Sequence, residues 1–216
     1  MKRVRVVVWS DFVCPWCWIA ISRIGKAARN LAREIEVVVD VRSYRMAKGI
    51  PAEGFTMALI RRLGNVTTAD RMMAALNEAG SEGGLEFRFK KMRFGDTTDA
   101  HAMVKSIDSF DRRQQLIEVI FRACTAGEKD IFDRRVLSEL AIGQGLTPHE
   151  FSFDARHLAS VARDERDAKN LASGLPLSLF NEEVILPGAQ EVPAYERAML
   201  ESARIPCQLP DRVSEA

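Results

Sequence analysis

The chain has 216 residues, 47% hydrophobic and 28% charged, ordinary for a globular protein with one large domain or one domain carrying an insertion. Its 31 basic and 30 acidic residues leave a net charge of +1, which excludes a bulk electrostatic pull toward nucleic acid or a membrane surface. No stretch approaches the roughly 20 apolar residues of a membrane helix. The first apolar run is broken by Asp11 too early for an export leader, so a cytoplasmic protein is expected.

In chain order, Val4 to Trp9 is a nearly continuous β-branched run and reads as a strand buried on both faces. It runs into SDFVCPWCWIA, Ser10 to Ala20, where Cys14 and Cys17 stand three apart at the start of a helix predicted over about Pro15 to Arg33. The stripe Cys17, Ile21, Ile24, Ala28, Leu31 steps by four and three along one face of that helix. Cys17 therefore heads a buried stripe, while Cys14 is predicted exposed at the helix N-terminus. The two thiols are inequivalent, as dithiol exchange requires: one sulfur where the helix end favours negative charge, one shielded but within bonding reach. Pro15 suits the first turn, because its missing N–H would be unpaired there anyway. Trp16 reads as a partly exposed apolar contact beside the thiol.

Two simpler readings stand beside the redox one. Buried free cysteines are common in cores. A zinc half-site would need two more ligands from Cys124, Cys207, His101, His149 or His157, none of which form a close pair, so no metal is expected. Four cysteines in such a chain are not a disulfide scaffold, and a close pair in a reducing compartment points to catalysis or metal rather than to a structural bond.

Ile35, Val37, Val39 and Val41 then alternate with polar residues as a second strand, completing a βαβ unit. From about Met46 to Asn170 helix signals dominate, apart from a short strand-like run Leu85–Phe89. Helices are predicted from Thr68 and Asp70 to Gly80, from Thr98-Asp99, over Asp111–Ala126, over Asp133–Gln144, after the Thr147-Pro148 cap, and over Asp154–Ala172. Leu177–Phe180 and Val184–Leu186 flank a polar turn as a β-hairpin, and Pro193 opens a last helix through about Ser202. The tail after Pro206 is predicted loose. Pro176 sits at the mouth of the hairpin's first strand, either as a strand-initiating trans-proline or as a cis-proline facing the dithiol.

Other residues carry paired readings. His101 either lies over the active site and tunes the thiolate or is a partly exposed helix histidine. Asp11 is either a proton acceptor for the dithiol or a loop residue. Cys124 and Cys207 read as bystanders. Seven methionines, among them Met46, Met57 and Met72, read as core filler or as an adaptable substrate groove. The run Arg163–Asp167 reads as a solvated helix face.

The CPWC motif after a buried strand, the helical block, Leu175-Pro176 leading a hairpin and Gly188-Ala189-Gln190 before the last helix together resemble the DsbA-like thioredoxin superfamily, in its cytosolic FrnE-like branch. Thr98-Asp99-Ala100-His101 resembles a segment of that branch. The resemblance implies an α/β thioredoxin fold, βαβ…ββα, interrupted by a large all-α insertion: residues 1–45 and 171–216 form the thioredoxin-like domain, 46–170 the helical insertion. It implies Cys14 as nucleophile, Cys17 as resolving thiol and Pro176 as the cis-proline, with Leu175 offering its backbone to an extended substrate; Pro15 and Trp16 are read beside them as active-site support and His101 as a candidate toward substrate. It implies a thiol–disulfide oxidoreductase or isomerase with no bound cofactor, acting on protein or small-molecule thiols and disulfides. Trp16 stands where periplasmic members often carry histidine, which leaves the redox direction open.

The alternative is a glutathione-using transferase or isomerase of the kappa and 2-hydroxychromene-2-carboxylate isomerase type, with glutathione as co-substrate held at Gly188-Ala189-Gln190. Such enzymes usually carry serine where Cys14 stands. A non-catalytic binding module is a third reading, which the intact CPWC disfavours.

Overall fold

The computed structural model describes residues 2–171 and 174–205. Strand β1, Lys2–Ser10, leads into helix α1, Pro15–Asn30, and strand β2, Ile35–Ser43. A helical block follows: the two-residue strand β3, Glu53–Gly54, then α2, Phe55–Leu63, and α3, Val66–Ser81. Strand β4, Arg93–Phe94, pairs back on β3, and α4, Thr98–Ser106, α5, Phe110–Ala126, and α6, Arg134–Gly143, complete the block. Helix α7, Leu158–Leu171, returns the chain to the sheet, and β5, Leu177–Phe180, β6, Val184–Pro187, and α8, Val192–Ser202, close it.

The main sheet has the order β2-β1-β5-β6. β1 lies parallel to β2, with Val4, Val6 and Val8 opposite Val37, Val39 and Val41, and antiparallel to β5. Its apolar continuity has a direct cause. Val4, Val6 and Val8 pack with Ile24 and Ala27 of α1 and Tyr195 and Met199 of α8, while Val7 and Trp9 pack with Ala168 of α7. A strand covered on both faces has no solvent side to make polar. The third and largest core joins the first turn of α1 to the block, with Trp18 stacked on Phe121 at 5.1 Å. Among the described residues no helix is long and apolar enough to cross a membrane.

This α/β architecture, with helices between β2 and β5, is the one expected. Several elements differ in detail. The buried face of α1 runs through Cys17, Ala20, Ile24, Ala27 and Leu31, whereas Ile21 and Ala28 are half-buried, because α1 is covered by α8 as well as by the sheet. Leu85–Phe89 is not a strand. Its aromatics are held by ring contacts, Phe87 on Phe89 at 5.9 Å and Phe89 on Phe55 at 5.6 Å. No helix follows Thr147-Pro148. The Glu150 carboxylate accepts the Thr147 N–H and hydroxyl at 2.8 and 2.9 Å and closes a single turn. Phe151 and Phe153 then recur with period two, which a helix cannot use. Asp154 caps a 3-10 turn, Ala155–His157, before α7 begins, and Ala172 lies outside the described residues.

The Arg163–Asp167 run is corrected most. Asp164 is buried and accepts the Ser43 N–H at 2.9 Å, with Lys105 Nζ at 2.5 Å. Glu165 takes Arg45 through Nε at 2.7 Å and Nη2 at 3.0 Å. Arg163 and Arg166 are exposed as a solvated face requires, but Asp164 and Glu165 dock α7 against β2, the chain just after it and α4.

Candidate active site

β1 ends at Ser10, and a three-residue loop carries the chain to Cys14 at the N-cap of α1. The Cys14 N–H donates to the Asp11 carbonyl at 3.0 Å, and the Cys17 N–H donates to the Cys14 carbonyl at 3.0 Å. Pro15 fills the first helical position, where no N–H is needed. The two residues between the cysteines thus span one helical turn, with both sulfurs on one line. Both thiols are free.

Cys17 is 0% exposed and Cys14 6%. The expectation of an exposed Cys14 is therefore corrected, because residues remote in sequence wall it in. Phe55, Leu59, Met72 and Leu76 from α2 and α3, together with Met46 and Leu175, enclose a groove of about 620 Å³ with Cys14, Pro15 and Trp16 on its lining. Trp16 is half-buried and its indole N–H donates to Met72 Sδ at 3.3 Å. Met46 and Met72 line the groove, Met92 and Met103 are buried core, and Met57 is exposed.

The electrostatics separate the two sulfurs. Burial, then a hydrogen bond to the Cys14 sulfur and that sulfur's charge, push the Cys17 thiol well above the ordinary thiol range, and the Asp11 charge adds to this. Cys17 is thus kept protonated behind its partner. Cys14 stands at the positive end of α1, where negative charge is favoured.

Asp11 is a buried carboxylate beneath the pair, 0% exposed. It accepts the Met46 N–H at 2.6 Å and the Thr97 hydroxyl at 2.7 Å. His101 Nε2 lies 3.5 Å from it, with no hydrogen-bond partner among the described residues. His101 is neither over the groove nor on an exposed helix face. It is 3% exposed, its ring tilted at 32° against Phe12 with centroids 4.7 Å apart, behind the dithiol. Cys124 on α5 shares the core with Cys14 and Cys17, and burial with the Asp11 charge pushes its thiol to about 12. Cys207 lies outside the described residues. Among the described residues no three His, Cys, Asp or Glu side chains cluster to hold a metal ion.

The Leu175–Pro176 bond is cis, the isomer the resemblance implies, and the Pro176 carbonyl accepts the Gly188 N–H at 2.8 Å. The Gly188-Ala189-Gln190 segment is already committed. The Gln190 N–H donates to the Tyr195 hydroxyl at 3.1 Å, and Glu191 at the α8 N-cap pairs with the buried Arg23 at 2.9 Å. A carboxylate placed there would meet a spent donor and an acidic neighbour.

A family model described as a DSBA-like thioredoxin domain matches residues 5–200. The chain belongs to that family. A structure described as a probable DsbA oxidoreductase from Streptomyces coelicolor is 26% identical, with a TM-score of 0.84 over 99% of this chain and 94% of that one. The cytosolic disulfide reductase DsbM from Pseudomonas aeruginosa has a TM-score of 0.58 at 18% identity, over 93% of this chain and 95% of that one. A 2-hydroxychromene-2-carboxylate isomerase has a TM-score of 0.65 at 13% identity, over 93% and 96%. The last two share the fold. No curated protein matches the sequence.

The groove beside Cys14 is built mainly from the helical block, with Leu175, the residue before the cis-proline, on its lining. Its α2 wall was missed in the sequence, although Phe55, Ala58 and Leu59 carry the helical i, i+3, i+4 signal. Thr97 and the Met46 N–H had no signal at all, since what they bind is a carboxylate remote in the chain.

Proposed function

We propose that the protein is a thiol–disulfide oxidoreductase working through Cys14 and Cys17. Cys14 thiolate attacks one sulfur of a substrate disulfide and the other leaves as thiolate. Cys17 then gives up its proton and attacks Cys14 Sγ, breaking the mixed disulfide and releasing the second thiol. The dithiol is oxidised and one disulfide is reduced to two thiols; run backward, the same steps oxidise a substrate. The observation that carries this reading is the placement of two free cysteines one helical turn apart, Cys14 on the lining of a groove and Cys17 fully buried behind it. Leu175 lines the same groove, with the cis-Pro176 next to it, and the pair takes the part of substrate-facing backbone. His101, away from the groove, supports Asp11 instead. We infer a cytoplasmic setting, where a dithiol pair is kept reduced and exchange rather than structural disulfide formation is expected.

Wild type should reduce a protein or small-molecule disulfide at the expense of dithiothreitol. Cys14→Ser should abolish this, and Cys17→Ser should accumulate a mixed disulfide visible by mass spectrometry. No turnover above dithiothreitol alone, with no adduct on Cys14, would sink the reading. Glutathione-dependent isomerase activity surviving Cys17→Ser would favour the alternative.

A further inference from the structure

Cys14 does not stand on an open face. It lies on the lining of a concavity of about 620 Å³, inside the range of roughly 300–1,000 Å³ that holds small ligands. The walls are apolar: Trp16 from α1, Phe55 and Leu59 from α2, Met72 and Leu76 from α3, and Leu175. The one polar atom Trp16 might add is already used, because its N–H donates to Met72 Sδ at 3.3 Å. The indole therefore offers its ring and no donor.

Among the described residues, charge enters the lining only through Glu53, Arg61 and Arg62. Arg61 pairs with Glu53. Arg62 is exposed and makes no ion pair among the described residues. The groove therefore has an apolar interior and one uncompensated positive charge.

We propose that Cys14 exchanges with a small-molecule disulfide or thiol carrying a flat apolar group and a carboxylate, the apolar group lying between Trp16 and Phe55 and the carboxylate meeting Arg62. This rests on the redox reading above and narrows its substrate class. The step is the exchange already written: Cys14 thiolate forms a bond to one substrate sulfur, and the other leaves with the electron pair. An aryl thiolate is a good leaving group because its conjugate thiol is acidic. A cationic disulfide would be repelled by Arg62, and an uncharged aliphatic one would fill the groove poorly.

The test uses full-length Cys17→Ser, which stops at the mixed disulfide, and four probes: dithiobis-nitrobenzoate (aromatic, anionic), dithiodipyridine (aromatic, neutral), hydroxyethyl disulfide (aliphatic, neutral) and cystamine (aliphatic, cationic). Each rate is divided by that of the same probe with a free small thiol, which removes intrinsic reactivity. The normalised rates should fall in the order given. Arg62→Glu, a change at an exposed position, should lower the ratio of anionic to neutral aromatic rates by about threefold or more. Equal normalised rates, a ratio unmoved by Arg62→Glu, or an unfolded oxidised polypeptide that outcompetes every probe overturns the proposal while leaving the redox reading intact. Failure of every probe to label Cys14 overturns the redox reading instead.

Discussion

Asp11, six residues before Cys17, acts on that thiol through its charge. Its carboxylate is buried, held by Thr97 and the Met46 N–H, and faces His101. Because that charge raises Cys17, removing it should make the thiol ionise at lower pH. In a Cys14→Ser background, Asp11→Asn should shift the ultraviolet thiolate titration of Cys17 downward. An unchanged or upward shift would show that Asp11 positions the loop without acting electrostatically. The cysteines and Pro176 were legible in the sequence because their chemistry is carried by residue type and short spacing. The burial of Cys14 was not, because it depends on α2 and α3, some forty or more residues on. Nor was the place of His101, since one helical histidine says nothing about which carboxylate it will face.

At the scale of elements, α7 shows how local pattern misleads. Arg163 to Asp167 has the composition of a solvated helix face, yet Asp164 and Glu165 turn inward to Ser43, Lys105 and Arg45. The Arg45 guanidinium is almost wholly buried. Arg45 also raises the acidity of Glu165: burial pushes the carboxyl up, but the Arg45 hydrogen bonds and charge outweigh it and hold it below the ordinary range. Glu165→Gln would leave that guanidinium buried without its counter-charge. The expected loss is about 3 kcal/mol, read as a lower urea midpoint at unchanged slope. A loss within about 0.5 kcal/mol, the size of an ordinary surface change, would restore the solvated-face reading. The strands and most helices were legible because their periods and caps are local. Asp133, for instance, caps α6 by accepting the Arg135 N–H at 2.8 Å.

For the whole molecule, the buried thiols make stability depend on pH in one direction. Cys17 is raised well above the thiol range and Cys124 to about 12. The unfolded chain ionises its thiols near pH 8.5, at about that ordinary value. Above it the unfolded state sheds protons that the fold retains, so the reduced protein loses stability as pH rises, by at most about 1.4 kcal/mol per pH unit for each thiol. Melting temperatures under dithiothreitol should fall from about pH 8.5 upward. Cys124→Ala should make that fall shallower, whatever it does to stability at neutral pH. A slope identical to wild type would place Cys124 outside this balance.

The groove's walls and its reactive sulfur come from different stretches of chain: Cys14, Pro15 and Trp16 from the start of α1, the rest largely from residues 46–76. Under the proposed function, the residues that would select a substrate are therefore encoded largely apart from the dithiol, although Met46 and Met72 tie the two stretches together through Asp11 and Trp16. On that reading, substitutions along α2 and α3 would change the molecule accepted while Asp11 keeps its partners Thr97 and His101. A lineage could acquire new substrates by editing one contiguous segment, and a protein engineer could transplant that segment for the same purpose.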